Sequence, residues 1–206
     1  MLIIGLAGGI ASGKTFVAAE FQKLGAALID ADLLGHQALT VDSVRAQIVN
    51  EFGSEVTGVE GEIDRKKLAK LVFGNDTESK RRLQRLEAIT HPEIARQIRH
   101  RLTDLSNSGV QVVILDAAVM FKSGWDKMCD RILFIECDES VRQRRALSRG
   151  WNLEELARRE ANQTLLAEKR RRATDFIQNN DQASPTIAEQ IRHLWLSWTT
   201  PSTIQP

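Results

Sequence analysis

The chain has 206 residues, 42% of them hydrophobic and 27% charged, with a formal net charge of +1. That length supports one domain with a well-buried core, and the near-neutral charge argues against a nucleic-acid or membrane-surface partner. No apolar run is long enough to span a bilayer, and the N-terminal apolar stretch, lacking a basic leader, does not read as a signal peptide. The two cysteines, Cys129 and Cys137, form no C-x-x-C pair and are expected as reduced thiols in a cytoplasmic protein.

In chain order, Leu2 to Ala7 is a short apolar run that reads as a buried strand. "GGIASGKTF" follows at 8–16, and Val17, Phe21 and Leu24 then recur at helical spacing. Gly8-x-x-x-x-Gly13-Lys14-Thr15 fits the phosphate-binding loop, in the strand–turn–helix context the motif requires. Glycines let the backbone curl so that its N–H groups cradle an anion at the positive end of the helix. Lys14 would reach the β- and γ-phosphates, and the Thr15 hydroxyl would sit on Mg²⁺.

Four more strands are expected: Ala26 to Ile29 ending at Asp30, Val110 to Leu115 at Asp116, Arg131 to Ile135 at Glu136, and Phe176-Ile177 at Asn179 and Asn180. Strands alternating with helical patterns predict an α/β fold with a parallel sheet of about five strands flanked by helices. Ligands collect at the carboxyl ends of such strands. Residues 35–108 read as a helical insert. One helix there carries Val41, Val44, Ile48 and Phe52 and closes at Gly53. A second runs from Asp64 to Gly74, and a third begins at Pro92 with Ile94, Ile98, Leu102 and Leu105. Residues 139–174 read as a second helical connection, with ten Arg or Lys against five Glu. The expected organisation is a single domain over 1–206. Its core is 1–34, 109–138 and 175–196, its insert 35–108 and its basic lid 139–174. The tail from Ser197, with Pro201 and Pro206, is expected to fray.

The loop implies nucleoside triphosphate binding and leaves the reaction open. Asn179-Asn180-Asp181-Gln182 lacks the lysine of the guanine-reading N-K-x-D motif. Asp116 is followed by Ala117, so a metal-side aspartate is present without a water-activating glutamate beside it. That favours transfer to a bound acceptor over hydrolysis. A carboxylate at Asp30-Ala31-Asp32 can take the proton of an attacking hydroxyl, and one of the two aspartates can instead cap the following helix. The basic connection either covers the transferring phosphoryl group or is a solvated helix face.

The order and spacing of further pieces are more specific. "GLAGGIASGKT" (5–15), "IDADLLGHQ" (29–37), "DRKKLAKLVF" (64–73), "HPEI" (91–94), "RQRRALSRG" (142–150), Gln163 and "ATDFIQNND" (173–181) together resemble the dephospho-CoA kinases. The resemblance runs to about residue 195. It implies a phosphate-loop kinase that phosphorylates the ribose 3′-hydroxyl of dephospho-CoA with ATP and Mg²⁺, the last step of coenzyme A synthesis. It implies ATP contacts from Gly9, Ala11, Ser12, Gly13, Lys14, Thr15 and Phe16, with Arg145 and Arg149 reaching ATP from the lid. Asp32 becomes the general base, acting with Lys14 and Arg145; Asp32 and His91 meet the acceptor, and Asp116 is an outer-shell metal group. No nucleic acid, membrane or obligatory protein partner is implied.

The chain departs from the family pattern at Ala7, where threonine is usual, and at Ala11, where glycine is common. In "DAAVMFK" (116–122), Ala118 replaces a proline and Lys122 a glutamate. Those changes concern the acceptor side, and keep open another small-molecule or nucleotide kinase of the same fold. Intact Lys14, Thr15 and Asp32 argue against a regulator that has lost catalysis.

Overall fold

In the computed structural model, residues 1–74, 76–161, 163–180 and 185–200 are described. The apolar runs become five strands: β1 (Leu2–Gly8), β2 (Ala27–Asp30), β3 (Val112–Asp116), β4 (Arg131–Glu136) and β5 (Asp175–Gln178). All pair in parallel, in the order β2-β3-β1-β4-β5. Ile4 and Leu6 of β1, Val112 and Ile114 of β3, and Leu133 and Ile135 of β4 are all buried in one core cluster. A near-continuous apolar run is what a strand covered on both faces requires. Gly5 is the close approach in β1: a Cβ there would lie 2.7 Å from the Met120 sulfur.

The chain divides into two units, Met1–Asp30 with Leu102–Pro206, and Ala31–Arg101. In the first, α1 (Lys14–Lys23) follows β1 and buries Val17, Ala18 and Phe21. Between β4 and β5 lie α6 (Glu139–Ser148), α7 (Leu153–Ala161) and α8 (Leu166–Arg171). The last helix, α9 (Pro185–Thr199), places Ile187 and Ile191 in the same core. Trp198 stacks on Phe21 with ring centroids 5.1 Å apart. The chain is therefore helical through Thr199 where fraying from Ser197 was expected; Pro201, Pro206 and Asp181 lie outside the described residues.

In the second unit, α2 (Ala31–Ala38), α3 (Asp42–Phe52) and α4 (Arg65–Val72) precede α5 (Thr77–Asn107), whose residues from Leu102 belong to the first unit. Gly53 caps α3 as expected. Asp64 caps α4: its carboxylate accepts the N–H groups of Lys66 at 2.9 Å and Lys67 at 3.1 Å. This unit has its own apolar cluster, in which Val44, Ile48, Phe52, Leu68 and Val72 meet Leu83, Leu86 and Ile89 of α5.

The expected helix start at Pro92 is corrected here. Pro92 lies inside α5, a helix of 31 residues. An interior proline lacks an N–H and costs about 3 kcal/mol in an isolated helix. The apolar residues at Leu83, Leu86 and Ile89, continued by buried Ile94 and Ile98, hold both sides of it in one helix. Tertiary packing overrides the local signal. His91 is accordingly a mid-helix residue and not a cap.

Candidate active site

The loop between β1 and α1 turns on an N–H of Ser12 that donates to the Gly9 carbonyl at 3.2 Å. Gly13, at φ 93°, supplies the left-handed residue that starts α1. Ala11 also sits in the left-handed region, at φ 60°. That conformation costs a residue with a Cβ about 1–2 kcal/mol and glycine little, which accounts physically for the glycine common at this place. Ala11 offsets part of the strain through burial: it is 6% exposed and packs with Ile10, Ala146 and Leu156.

A loop that turns its N–H groups toward an anion turns its carbonyls outward, where they need donors. Each carbonyl from Gly8 to Ser12 has one. Lys169 Nζ reaches Gly8 O at 3.3 Å, Lys14 Nζ reaches Gly9 O at 3.4 Å, and Arg142 Nη1 reaches Ile10 O at 3.5 Å. Arg145 Nη1 lies 3.4 Å from both Ala11 O and Ser12 O. The amide of Asn179, fully buried at the end of β5, donates to Ser12 O at 2.8 Å. The loop is thus clasped from behind by four cations and one amide. Ser12 Oγ is buried and, among the described residues, has no hydrogen-bond partner. A buried hydroxyl without a partner beside N–H groups fits an anionic ligand in the loop.

The expected nucleotide residues fall as follows. Lys14 is half-buried, Thr15 exposes its side chain at the first turn of α1, and Phe16 packs on the core. Arg145 comes to the loop, and its Nη2 also reaches Asn180 O at 3.3 Å. Arg149 caps α6 and is exposed. Asp116 ends β3 and pairs in register with Asp30 of β2. Thr15 offers a hard oxygen donor of the kind Mg²⁺ takes, and Asp116 a carboxylate able to hold a water of its shell. Asp30 closes β2, and Asp32 is an exposed residue in the first turn of α2. In the second unit, a Cβ on Gly35 of α2 would lie 3.6 Å from Ile94 of α5, so the helices meet there. Asp32 and His91 each lie one turn before that contact on their own helix. Ala118 sits in a turn closed by the Met120 N–H on Ala117 O at 3.2 Å, a bond that fixes the chain where proline would have fixed φ. Lys122 is exposed.

Arg142, Asn179 and Lys169 were not among the expected site residues. Arg142 shares a helix face with Arg145 and Arg149 by spacing, which could have found it. The basic run at 169–172 carries no mark that Lys169 is its buried member.

A dephospho-CoA kinase family model matches residues 2–184. The chain belongs to the dephospho-CoA kinase family. A relative of that name from Carboxydothermus hydrogenoformans is 36% identical over 198 residues, spanning 95% of this chain and 94% of its own. Another from Geobacillus kaustophilus is 38% identical over 187 residues, 90% and 91% of the two chains. Among solved structures, TT1252 from Thermus thermophilus superposes with a TM-score of 0.81 at 33% identity, covering 97% of this chain and 98% of its own. A shikimate kinase from Bacteroides thetaiotaomicron, at 12% identity and a TM-score of 0.51 over 94% and 96% of the chains, shares the fold alone. The family makes this chain a kinase.

The cations of residues 139–174 fall into two groups. Arg142 pairs with Glu160, Arg158 and Arg159 with Glu155, Arg170 with Glu136, and Arg172 with Asp126. Arg145 and Lys169 face the loop with no carboxylate partner among the described residues. Burial, then the nearby Lys14 charge, lowers the Lys169 ammonium from its ordinary value to about 8. The Cys137 thiol, beside Arg145, is pushed up by burial.

Proposed function

We propose that this protein transfers the γ-phosphoryl group of ATP to the ribose 3′-hydroxyl of dephospho-CoA, giving coenzyme A and ADP. The observation that carries it is the preformed loop: five consecutive carbonyls held from behind in a chain of this family. The loop N–H groups bind the phosphates without reorganising, the condition for electrostatic catalysis. Lys14 meets the β- and γ-oxygens, and Gly9, Ala11, Ser12, Gly13, Thr15 and Phe16 complete the phosphate contacts. Arg145, with Arg149 one turn on, covers the nucleotide from the lid, residues 139–174.

Thr15, with Asp116 in the outer shell, would hold Mg²⁺, which when bound neutralises charge on the phosphate oxygens. Asp32 accepts the proton of the 3′-hydroxyl as the new P–O bond forms and the bond to the ADP oxygen breaks. His91 orients the acceptor. Ala117 after Asp116 leaves no carboxylate there to activate water, so the acceptor hydroxyl is the nucleophile. Both cysteines are free thiols, in keeping with a cytoplasmic reaction. Among the described residues no helix is long and apolar enough to cross a membrane.

The test is direct. The protein is incubated with Mg-ATP and dephospho-CoA, and the products are weighed by mass spectrometry. CoA and ADP in equal amounts are expected. ATP binding without CoA would overturn the acceptor assignment.

A further inference from the structure

Lys169 is unusual among the lid cations. It is 5% exposed, on the six-residue helix α8. Its Nζ donates to the Gln163 side-chain oxygen at 2.6 Å and reaches Gly8 O at 3.3 Å. An ammonium has three N–H donors, so one remains. Lys169 and Lys14 line the same cleft, walled by Leu6, Ala7, Ala117 and Phe121. That cleft lies where β3 ends at Asp116, the metal side of the loop. The two ammonium groups hold neighbouring carbonyls, Gly8 and Gly9. Lys169 is buried and Lys14 half-buried, and the Lys14 charge disfavours the charged form of Lys169, an effect that a phosphate bound between them would oppose.

We propose that Lys169 is a second phosphate-binding cation, which donates its remaining N–H to the γ-phosphate of ATP while Gln163 and the Gly8 carbonyl hold it in position. This rests on ATP being the phosphate donor, as proposed above. Lys14 marks the β/γ junction by its place in the loop, and Lys169 shares its cleft with Ala117 and Phe121, which follow β3. The γ-phosphate oxygens this assigns to Lys169 are ones that ADP lacks. In the transfer step negative charge spreads over the γ-phosphoryl oxygens, and a fixed, desolvated cation there strengthens as the reaction proceeds. Gln163 is a positioning residue: a neutral acceptor orients the ammonium without neutralising it, as a carboxylate would.

The charged groups facing Lys169 are Lys14 of α1, Arg142 of α6 and Glu160 of α7; the two cations lower its proton affinity and the carboxylate raises it. With burial they leave it near 8. A bound γ-phosphate favours the charged form. ATP binding should therefore weaken as pH rises through about 8, and ADP binding much less.

The experiment measures equilibrium affinities for ATP and ADP, and kcat with dephospho-CoA, across pH 6.5 to 9.5, in the full chain. A charge-assisted hydrogen bond to phosphate is worth about ten- to a hundredfold. Lys169→Met should lose about that factor in ATP affinity or kcat, keep its ADP affinity, and lose the alkaline step. Lys169→Arg, which keeps a charge that does not titrate here, should retain the ATP preference and also lose the step. Gln163→Leu should lower kcat more than ATP affinity. Equal losses for ATP and ADP in Lys169→Met would make Lys169 a mere prop for the Gly8 carbonyl and overturn the assignment. If the methionine variant does not fold, an arginine variant that loses the ATP preference, or keeps the alkaline step, overturns it equally. A wild-type protein that binds ATP with this Lys169-dependent preference but makes no CoA would refute the acceptor and leave Lys169 standing.

Discussion

Gly9 can be tested through stability alone, by a readout that does not depend on nucleotide. It occupies a variable position of the loop motif, and its φ is not among the positive ones. What demands glycine is Arg142. A Cβ at residue 9 would lie 2.9 Å from the Arg142 Cδ and Nη1 and 3.0 Å from its Cζ, where ordinary contact begins at 3.4 Å. The guanidinium must retreat by about half an ångström. It has little room, being 6% exposed, paired with Glu160 and in reach of Ile10 O. Overpacking of this kind costs about 1–3 kcal/mol. Restricting the unfolded chain returns about 0.4–1 kcal/mol. Losing the ion pair outright would cost more, but the Glu160 side chain is 39% exposed and can turn to water. Gly9→Ala should therefore destabilise by about 1–2 kcal/mol net, lowering Tm by about 2–8 °C for a chain of this size. Calorimetry reads the shift. Arg142→Ala removes the atoms the new methyl would strike, so adding Gly9→Ala to it should cost less than about 0.5 kcal/mol. An unchanged Tm in the single variant, or additive losses in the double one, would refute the reasoning.

Asp32→Asn should keep fold and ATP affinity while turnover drops by about a hundred- to ten-thousandfold, the range of general-base help. Asp30→Asn should lose much less; the reverse ranking by steady-state kinetics would move the base to the strand end. Burial, with Asp126 and Asp130 nearby, pushes the Cys129 thiol up to about 12, so a thiol reagent at pH 8 should label it far more slowly in native than in unfolded protein. Arg96 holds the Glu93 carboxyl down to about 2 from an ordinary 4.5. A lowered native value adds stability above the ordinary one, lost as pH falls toward 2. Acid unfolding followed by circular dichroism should thus be shallower across that window in Glu93→Gln, and an identical curve would discount the pair.

The strands and the loop were legible because their signals are local. A run such as Val112 to Leu115 is apolar on both faces and ends in Asp116, and both facts lie in consecutive letters. Gly13 and Asp64 likewise announce the helices they start. Pro92 misleads because its local signal competes with Leu83, Leu86 and Ile89, whose packing partners are set by α3 and α4. Buried charge is harder still. Arg142 and Lys169 look like the solvated arginines and lysines around them, and what buries them is a loop more than 130 residues earlier.

That distant pairing explains why basic residues gather in 139–174. A segment whose charges served only attraction would leave them facing water, where salt screens them. Here five of the ten, Arg142, Arg158, Arg159, Arg170 and Arg172, are neutralised in place. Arg172 meets Asp126 and lies 4.6 Å over the Phe121 ring, and Arg159 lies 4.2 Å over Trp151 while paired to Glu155. These pairs fix the three helices. The cations turned to the loop do different work: they occupy carbonyls that would otherwise draw the phosphate-facing peptide units out of line. A peptide unit polarised at its oxygen by an ammonium or guanidinium presents a stronger N–H donor on its other side. On the proposed function, the basic residues of 139–174 would act on the nucleotide through the backbone as well as by direct contact. The ATP-over-ADP preference separates the two routes for Lys169, since a carbonyl prop serves both nucleotides and a γ-phosphate contact serves one.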